Sequence, residues 1–167
     1  QSPPKSIKPH TSLKILYAGR IDVDKRCFPL IEFAKRMKNN SNYEFTFVGG
    51  GSAVDKVSHL HNEYGHIKYD GYINDKKELA KLYCDSDVVW GFADSTYLCL
   101  PAVESIACDT PIIIPKYAAI INKNELIDSS LVPASIGWLV DPFDQKDIEN
   151  VLYRIQRKKE YLGKKCR

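Results

Sequence analysis

The sequence predicts an α/β domain with a doubly wound parallel sheet of about six strands, and two observations carry that prediction. Short apolar runs alternate with segments whose apolar residues recur at helical spacing, the pattern of parallel strands joined by crossover helices. In addition, the short helix framed by Pro101 and Pro111 leads directly into the apolar run Ile112-Ile113-Ile114. Pro101 presets a first helical turn and Pro111 stops the helix before the strand begins.

The elements follow in order. Residues Gln1 to Thr11 hold three prolines and two lysines with almost nothing apolar, which reads as a linker, so the folded domain is expected over residues 12–167 and to begin near Leu13. Leu13 to Ala18 is the first strand, and Leu30, Phe33, Ala34 and Met37 mark the first helix. A strand over Glu44 to Val48, a helix from Ala53 to about Glu63 and a short strand at Ile67 to Tyr69 come next. Leu79, Leu82 and Tyr83 then give a helix, and Val88 to Phe92 a buried strand. After the loop Ala93 to Cys99 and the helix carrying Glu104, the strand Ile112 to Ile114 precedes a weaker helix around Asn124 to Ile127. Trp138 to Val140 is the last strand, and Ile148, Val151, Leu152 and Ile155 form a final amphipathic helix with Asp144 as its cap.

Composition narrows the class. The chain of 167 residues is 44% hydrophobic and 27% charged, as expected of one soluble globular domain with a sizeable core. A net charge of +3 is too small to argue for nucleic-acid binding, and the clearest basic surplus is the tail from Arg157 to Arg167, read as solvated helix or a peripheral membrane or partner contact. Cys27, Cys84, Cys99, Cys108 and Cys166 are odd in number and lack Cys-x2-Cys spacing, which argues against a zinc site and a disulfide framework. A cytoplasmic setting is therefore expected. No apolar run approaches the roughly 20 residues of a membrane helix and no signal-peptide pattern opens the chain, so any membrane is expected to be met from the cytosolic surface.

Two places carry candidate chemistry. Gly19 ends the first strand and is followed by Arg20 and, five residues later, Lys25. Ligands bind at this edge of open α/β sheets, and two cations there suit a diphosphate. At 4 Å and an effective dielectric of 20, each charge pair is worth about 4 kcal/mol before desolvation. Two solvated basic residues in a loop remain the alternative. Glu104, read as standing in the first turn of its helix, offers two acceptor oxygens for vicinal hydroxyls such as those of a ribose. The alternative is a helix-dipole partner worth about 0.3–1 kcal/mol. Free N–H groups at the same helix start suit phosphate oxygens.

Other candidates are weaker. Gly49-Gly50-Gly51-Ser52 lacks the Lys-Ser or Lys-Thr ending of a P-loop and reads as a strand-to-helix turn. His59 and His61 lie two apart on a helix and so point to different faces, which disfavours a metal pair. Asp22-Val23-Asp24 reads as loop, Cys99 has no adjacent His to activate it, and Tyr83, Trp90 and Phe92 read as core packing.

Five motifs in order, Gly19-Arg20-x4-Lys25, Val48-Gly49-Gly50-Gly51, Ile67 to Ile73, Leu100-Pro101-Ala102-Val103-Glu104 with Pro111, and Gly137-Trp138-Leu139-Val140, resemble one family. It is the retaining GT-B glycosyltransferases with a Glu-x7-Glu motif (group 1 glycosyl transferases), and the similarity is to their C-terminal donor-binding domain over Leu13 to Ile155. The resemblance implies a Rossmann-like domain, one half of a GT-B fold. It implies that Arg20 and Lys25 neutralise the donor diphosphate, that Glu104 binds the ribose, and that Tyr72 and Ile73 meet the base. Leu100 and Pro101 would begin the helix that faces the phosphates, beside Gly19 and the loop residues Thr96 and Tyr97. Thr96 stands where the motif has its first Glu, and a hydroxyl cannot supply that charge; Asp94 would substitute only if the loop were shifted by two residues. Tyr97 and Cys99 replace small residues of the family's loop. Asp109 replaces a usual glycine after the helix, a milder change because Asp tolerates left-handed backbone.

The resulting expectation is a domain that binds a nucleotide diphosphate sugar as co-substrate, without metal or other cofactor. Together with a missing N-terminal domain that holds a sugar, lipid-linked or other acceptor, it transfers the sugar to a hydroxyl with retention. The proline-rich start, and a helix still under way where the chain stops at Lys165-Cys166-Arg167, suggest a fragment, expected to bind but not to turn over. A non-catalytic nucleotide or sugar sensor and a partner-binding α/β module are the alternatives. The base, the sugar, the acceptor and the oligomeric state are not encoded legibly.

Overall fold

The structure is a computed structural model that describes residues 12–22, 27–91, 100–116 and 137–162. The described elements are β1 (Leu13–Ala18), α1 (Phe28–Arg36), β2 (Tyr43–Val48), α2 (Val54–Glu63), β3 (Ile67–Tyr69), α3 (Lys76–Asp85), β4 (Val88–Trp90), α4 (Leu100–Ala107), β5 (Ile112–Pro115), β6 (Gly137–Val140) and α5 (Gln145–Leu162). The six strands form one parallel sheet in the order β3-β2-β1-β4-β5-β6. This is the doubly wound, Rossmann-like arrangement expected from the alternation of apolar runs. The expected linker over residues 1–11 and the weak helix around Asn124 to Ile127 lie outside the described residues.

Side-chain alternation along the strands builds two cores. Leu13, Ile15 and Tyr17 of β1, Phe45 and Phe47 of β2, and Val88 and Trp90 of β4 pack with Leu30 and Phe33 of α1, Val57 and Leu60 of α2, and Ile148, Leu152 and Ile155 of α5. Leu16, Ala18, Val48, Val89, Ile112 and Ile114 face the other way, against Tyr83, Leu79 and Leu82 of α3 and Ala102 and Ile106 of α4. Helices therefore cover both faces, which is why the strands read as apolar runs. Burying a large aliphatic or aromatic side chain here contributes about 1.5–3 kcal/mol.

Local chemistry sets most of the boundaries. The Asp75 carboxylate caps α3 by accepting from the Lys77 N–H at 2.8 Å, and Asp144 caps α5 through the N–H groups of Lys146 and Asp147, as expected for Asp144. α1 carries a proline in its first turn and ends at Arg36, so Met37 is its C-cap rather than its last turn. β4 stops at Trp90, short of the expected Phe92, a residue outside the described ones.

α4 ends in a Schellman motif. The Thr110 N–H donates to the Ser105 carbonyl at 2.9 Å and the Asp109 N–H to the Ile106 carbonyl at 3.0 Å, with Asp109 at φ 53°. Asp109 thus occupies the left-handed position where a glycine is usual. Replacing it, Asp109→Gly, is expected to raise stability by about 0.5–1 kcal/mol, read as a higher urea midpoint with unchanged slope. Gly49 is the opposite case. It sits at φ 141°, and a β-carbon there would collide with the Gly19 carbonyl oxygen. Gly49→Ala is expected to cost about 1–3 kcal/mol, checked by the same unfolding measurement.

Candidate nucleotide-binding crevice

The chain leaves β3 at one edge of the sheet and returns as β4 beside β1, so the direction of winding reverses between β1 and β4. Ligands of open α/β sheets bind outside the carboxyl ends of the strands at such a switch point. Only Ile15 and Leu16 of β1 pair with β4, whereas all six residues of β1 pair with β2. The C-terminal end of β1 is thereby bound tightly on the β2 side and opens on the other.

Three loops are tied together along this edge. The Gly19 N–H donates to the Val48 carbonyl at 3.0 Å, the Ile21 N–H to Gly50 at 3.0 Å, and the Gly49 N–H to Gly71 at 2.8 Å. The Tyr17 hydroxyl donates to the Arg20 carbonyl at 2.6 Å, and the Tyr69 hydroxyl to the Gly49 carbonyl at 2.9 Å. Gly71 leads into Tyr72, which is 76% exposed, and the half-buried Ile73, which packs on the α3–α4 side. Across the switch point, a β-carbon on Gly19 would lie 3.9 Å from the Pro101 ring. The structure therefore brings Gly19 to the start of α4, where Leu100 is exposed, while Arg20 follows Gly19 in the same loop and Tyr72 and Ile73 follow Gly71 after β3. Lys25, Thr96, Tyr97 and Asp94 lie outside the described residues.

Glu104 is the fifth residue of α4, and no acidic residue stands in the helix's first turn. That corrects the first-turn placement and weakens the helix-dipole alternative, because the dipole effect falls off within one turn. What holds Glu104 instead is Tyr83, whose hydroxyl donates to Oε2 at 2.9 Å. Tyr83 is core packing, as expected, but its hydroxyl reaches the site from 21 residues away, a link that no local spacing signals.

Arg20 is also held. Its Nε donates to Asp22 Oδ2 at 2.6 Å, while Asp22 Oδ1 accepts from the Ser52 N–H at 2.8 Å and the Ser52 hydroxyl at 3.2 Å. Asp22, plain loop by its sequence alone, links the loops after β1 and β2. Its carboxylate takes the Ser52 N–H, the Ala53 N–H goes to the Ile21 carbonyl at 2.8 Å, and the Gly49 N–H is used as described, so the glycine turn is internally bonded. That matches a strand-to-helix turn. The histidines serve structure as well: His61 Nδ1 lies 3.1 Å from the Ile67 carbonyl, and His59 pairs with Glu63 at 3.6 Å. Among the described residues no group of three His, Cys, Asp or Glu side chains could hold a metal, and no helix is long and apolar enough to cross a membrane.

The hydrogen bonds from Arg20 and Ser52 hold the Asp22 carboxyl down from 3.8 to about 2. A depressed carboxylate pKa stabilises the fold fully above the unfolded value, and that contribution fades as pH falls from about 4 toward 2. Carbon-detected titration should find Asp22 ionised at pH 3, and Asp22→Asn should flatten the stability profile over that interval. A midpoint near 3.8 would contradict the geometry.

Comparison with known proteins gives these features a family. The chain matches the model of glycosyl transferases group 1 over residues 1–164. Among solved structures it resembles sucrose-phosphate synthase from Thermosynechococcus elongatus at 25% identity and a TM-score of 0.65, covering 92% of this chain and 38% of that one. It also resembles S. aureus TarM, in a mutant's complex with fondaparinux, α-GlcNAc-glycerol and UDP, at 19% identity and a TM-score of 0.64, covering 94% of this chain and 30% of that one. The C-terminal domain of the group 1 protein LpcC from Francisella tularensis aligns at 22% identity and a TM-score of 0.56, over 87% of this chain and 80% of that one. No curated protein matches. The chain spans only about a third of the first two structures, and the shared architecture is that of GT-B glycosyltransferases. With its family model matched almost end to end, the chain belongs to the glycosyl transferases group 1 family.

Proposed function

We propose that this chain is the donor-binding domain of a retaining glycosyltransferase and holds a nucleotide diphosphate sugar in the crevice between β1 and α4. The observation that supports this reading is that a cation after β1 and a carboxylate on α4 are each held by another side chain, Arg20 by Asp22 and Glu104 by Tyr83. A cation there suits the diphosphate, and a carboxylate with two acceptor oxygens suits the ribose. Leu100 and Pro101 bring the start of α4 beside Gly19, where N–H groups of a first helical turn suit phosphate oxygens. Tyr72 and Ile73 are assigned to the base, and Thr96 and Tyr97 to the sugar-side loop.

In the proposed reaction the bond from the anomeric carbon to the β-phosphate oxygen breaks, and its electron pair leaves on the diphosphate. A bond forms to an acceptor hydroxyl oxygen, whose proton passes to the leaving diphosphate oxygen, and the anomeric configuration is retained. Arg20 and Lys25 stabilise the charge that builds on the leaving diphosphate, a role that requires no metal. Acceptor recognition is assigned to a second domain, because this chain spans 38% of sucrose-phosphate synthase. The chain alone is then expected to bind donor without turning it over.

Thr96, in place of the family's first Glu, favours a second reading, a nucleotide-sugar sensor that binds without transfer. Donor hydrolysis or sugar transfer by the full-length protein would exclude it.

Thermal stability is to be measured with UDP, GDP and ADP and with their sugar conjugates, with UDP first because the TarM complex contains it. One nucleotide is expected to raise the melting temperature. Arg20→Ala and Glu104→Ala should each weaken that nucleotide by roughly 10- to 100-fold, the loss expected for one charge-assisted contact. Absence of any shift, or shifts unchanged in both variants, would reject the proposed site.

A further inference from the structure

We propose that Tyr83 is a positioning residue for ribose recognition: its buried hydroxyl sets the orientation in which the Glu104 carboxylate accepts two vicinal hydroxyls. This role rests on the reading of Glu104 as the ribose-binding carboxylate. A glutamate carboxylate on a helix surface turns freely about its last torsion, and two neighbouring sugar hydroxyls require one defined carboxylate plane. Among the described residues, Tyr83 is the one donor to the Glu104 side chain, at 2.9 Å to Oε2. Each carboxylate oxygen accepts at two positions, so a bond to Oε2 fixes the plane while leaving acceptor capacity for a ligand.

The donor is itself firmly placed. The Tyr83 ring is 1% exposed and packs with Leu16, Val89, Ala102 and Ile112. Its backbone carbonyl accepts from the buried Thr110 hydroxyl at 2.8 Å, and the Ser105 hydroxyl, one residue beyond Glu104, donates to the Thr110 carbonyl at 2.5 Å. The end of α3, the body of α4 and the turn into β5 are thus locked around one phenol. Glu104, by contrast, is half-exposed at the edge of this cluster. A carboxylate wet on one side and held from the dry side is suited to exchanging water for ligand hydroxyls without rearranging.

The test compares ribose with deoxyribose. Affinities of UDP, GDP and ADP and of their 2′-deoxy counterparts are measured by calorimetry for the wild-type chain, Tyr83→Phe, Glu104→Gln and the double variant. The wild type should prefer the ribonucleotide, and Tyr83→Phe, which keeps the ring packing, should reduce that preference about three- to tenfold. In the Glu104→Gln background the second substitution should change the preference little, since Tyr83 acts through Glu104. Equal weakening of both sugars by Tyr83→Phe, or a preserved preference, would overturn the role of Tyr83 while leaving the donor site intact. A Tyr83→Phe chain that does not fold would overturn it too, placing the hydroxyl in the stability of the core. Failure of all three ribonucleotides to bind the wild type would remove the donor-site reading and this role together.

Discussion

The side-by-side pairing of β1 and β4 is the constraint on which the rest depends. Strands adjacent in the sheet but separated in sequence by β2, β3 and α3 force the connections after β1 and β4 onto opposite faces. In open α/β sheets such a divergence is where the ligand crevice forms. β1 overlaps fully with β2 but only through Ile15 and Leu16 with β4, so Tyr17 and Ala18 extend past the β4 pairing toward the loop at Gly19. Gly19 and Pro101 come close to each other only because of this register.

Rigidity at this edge of the sheet comes from a few polar groups. The buried hydroxyls of Ser105 and Thr110 satisfy carbonyls that would otherwise lose their water on burial, a loss worth about 1–3 kcal/mol each if left unmade. In doing so they fix the two helices whose side chains meet at Tyr83 and Glu104. On the other wall, Asp22 does the equivalent for the loops after β1 and β2. Its two oxygens divide the work, one holding Arg20 and the other Ser52.

How much of this is legible in the sequence depends on the range of the interaction. The strands are legible because burial on both faces makes each an apolar run, and the α4 boundaries because Pro101 and Pro111 act locally. The left-handed turn at Asp109 is legible through the family resemblance, because Asp109 stands where a glycine is usual. Glu104 stands out from its frame, yet the frame misplaces its turn within the helix, since the capping signal of Pro101 fixes a start and not a side chain's surroundings. Tyr83 and Asp22 read locally as packing and loop. Their partners lie 21 residues away at Glu104 and 30 away at Ser52, and such contacts exist only once strand order and register are set.

The charge arrangement follows from that geometry. An arginine that is 75% exposed would ordinarily sample many rotamers, and a surface ion pair contributes little to stability. Asp22, only 15% exposed and bonded to the backbone of Ser52, is a fixed anchor rather than a second mobile partner. The bond from Nε to Asp22 Oδ2 sets the orientation of the guanidinium plane. The value of the pair therefore lies in orientation. A cation anchored by Asp22 and a carboxylate anchored by Tyr83 are each oriented by a partner of their own, and in the proposed reading that suits a ligand with a polyanionic end and a hydroxyl-bearing one.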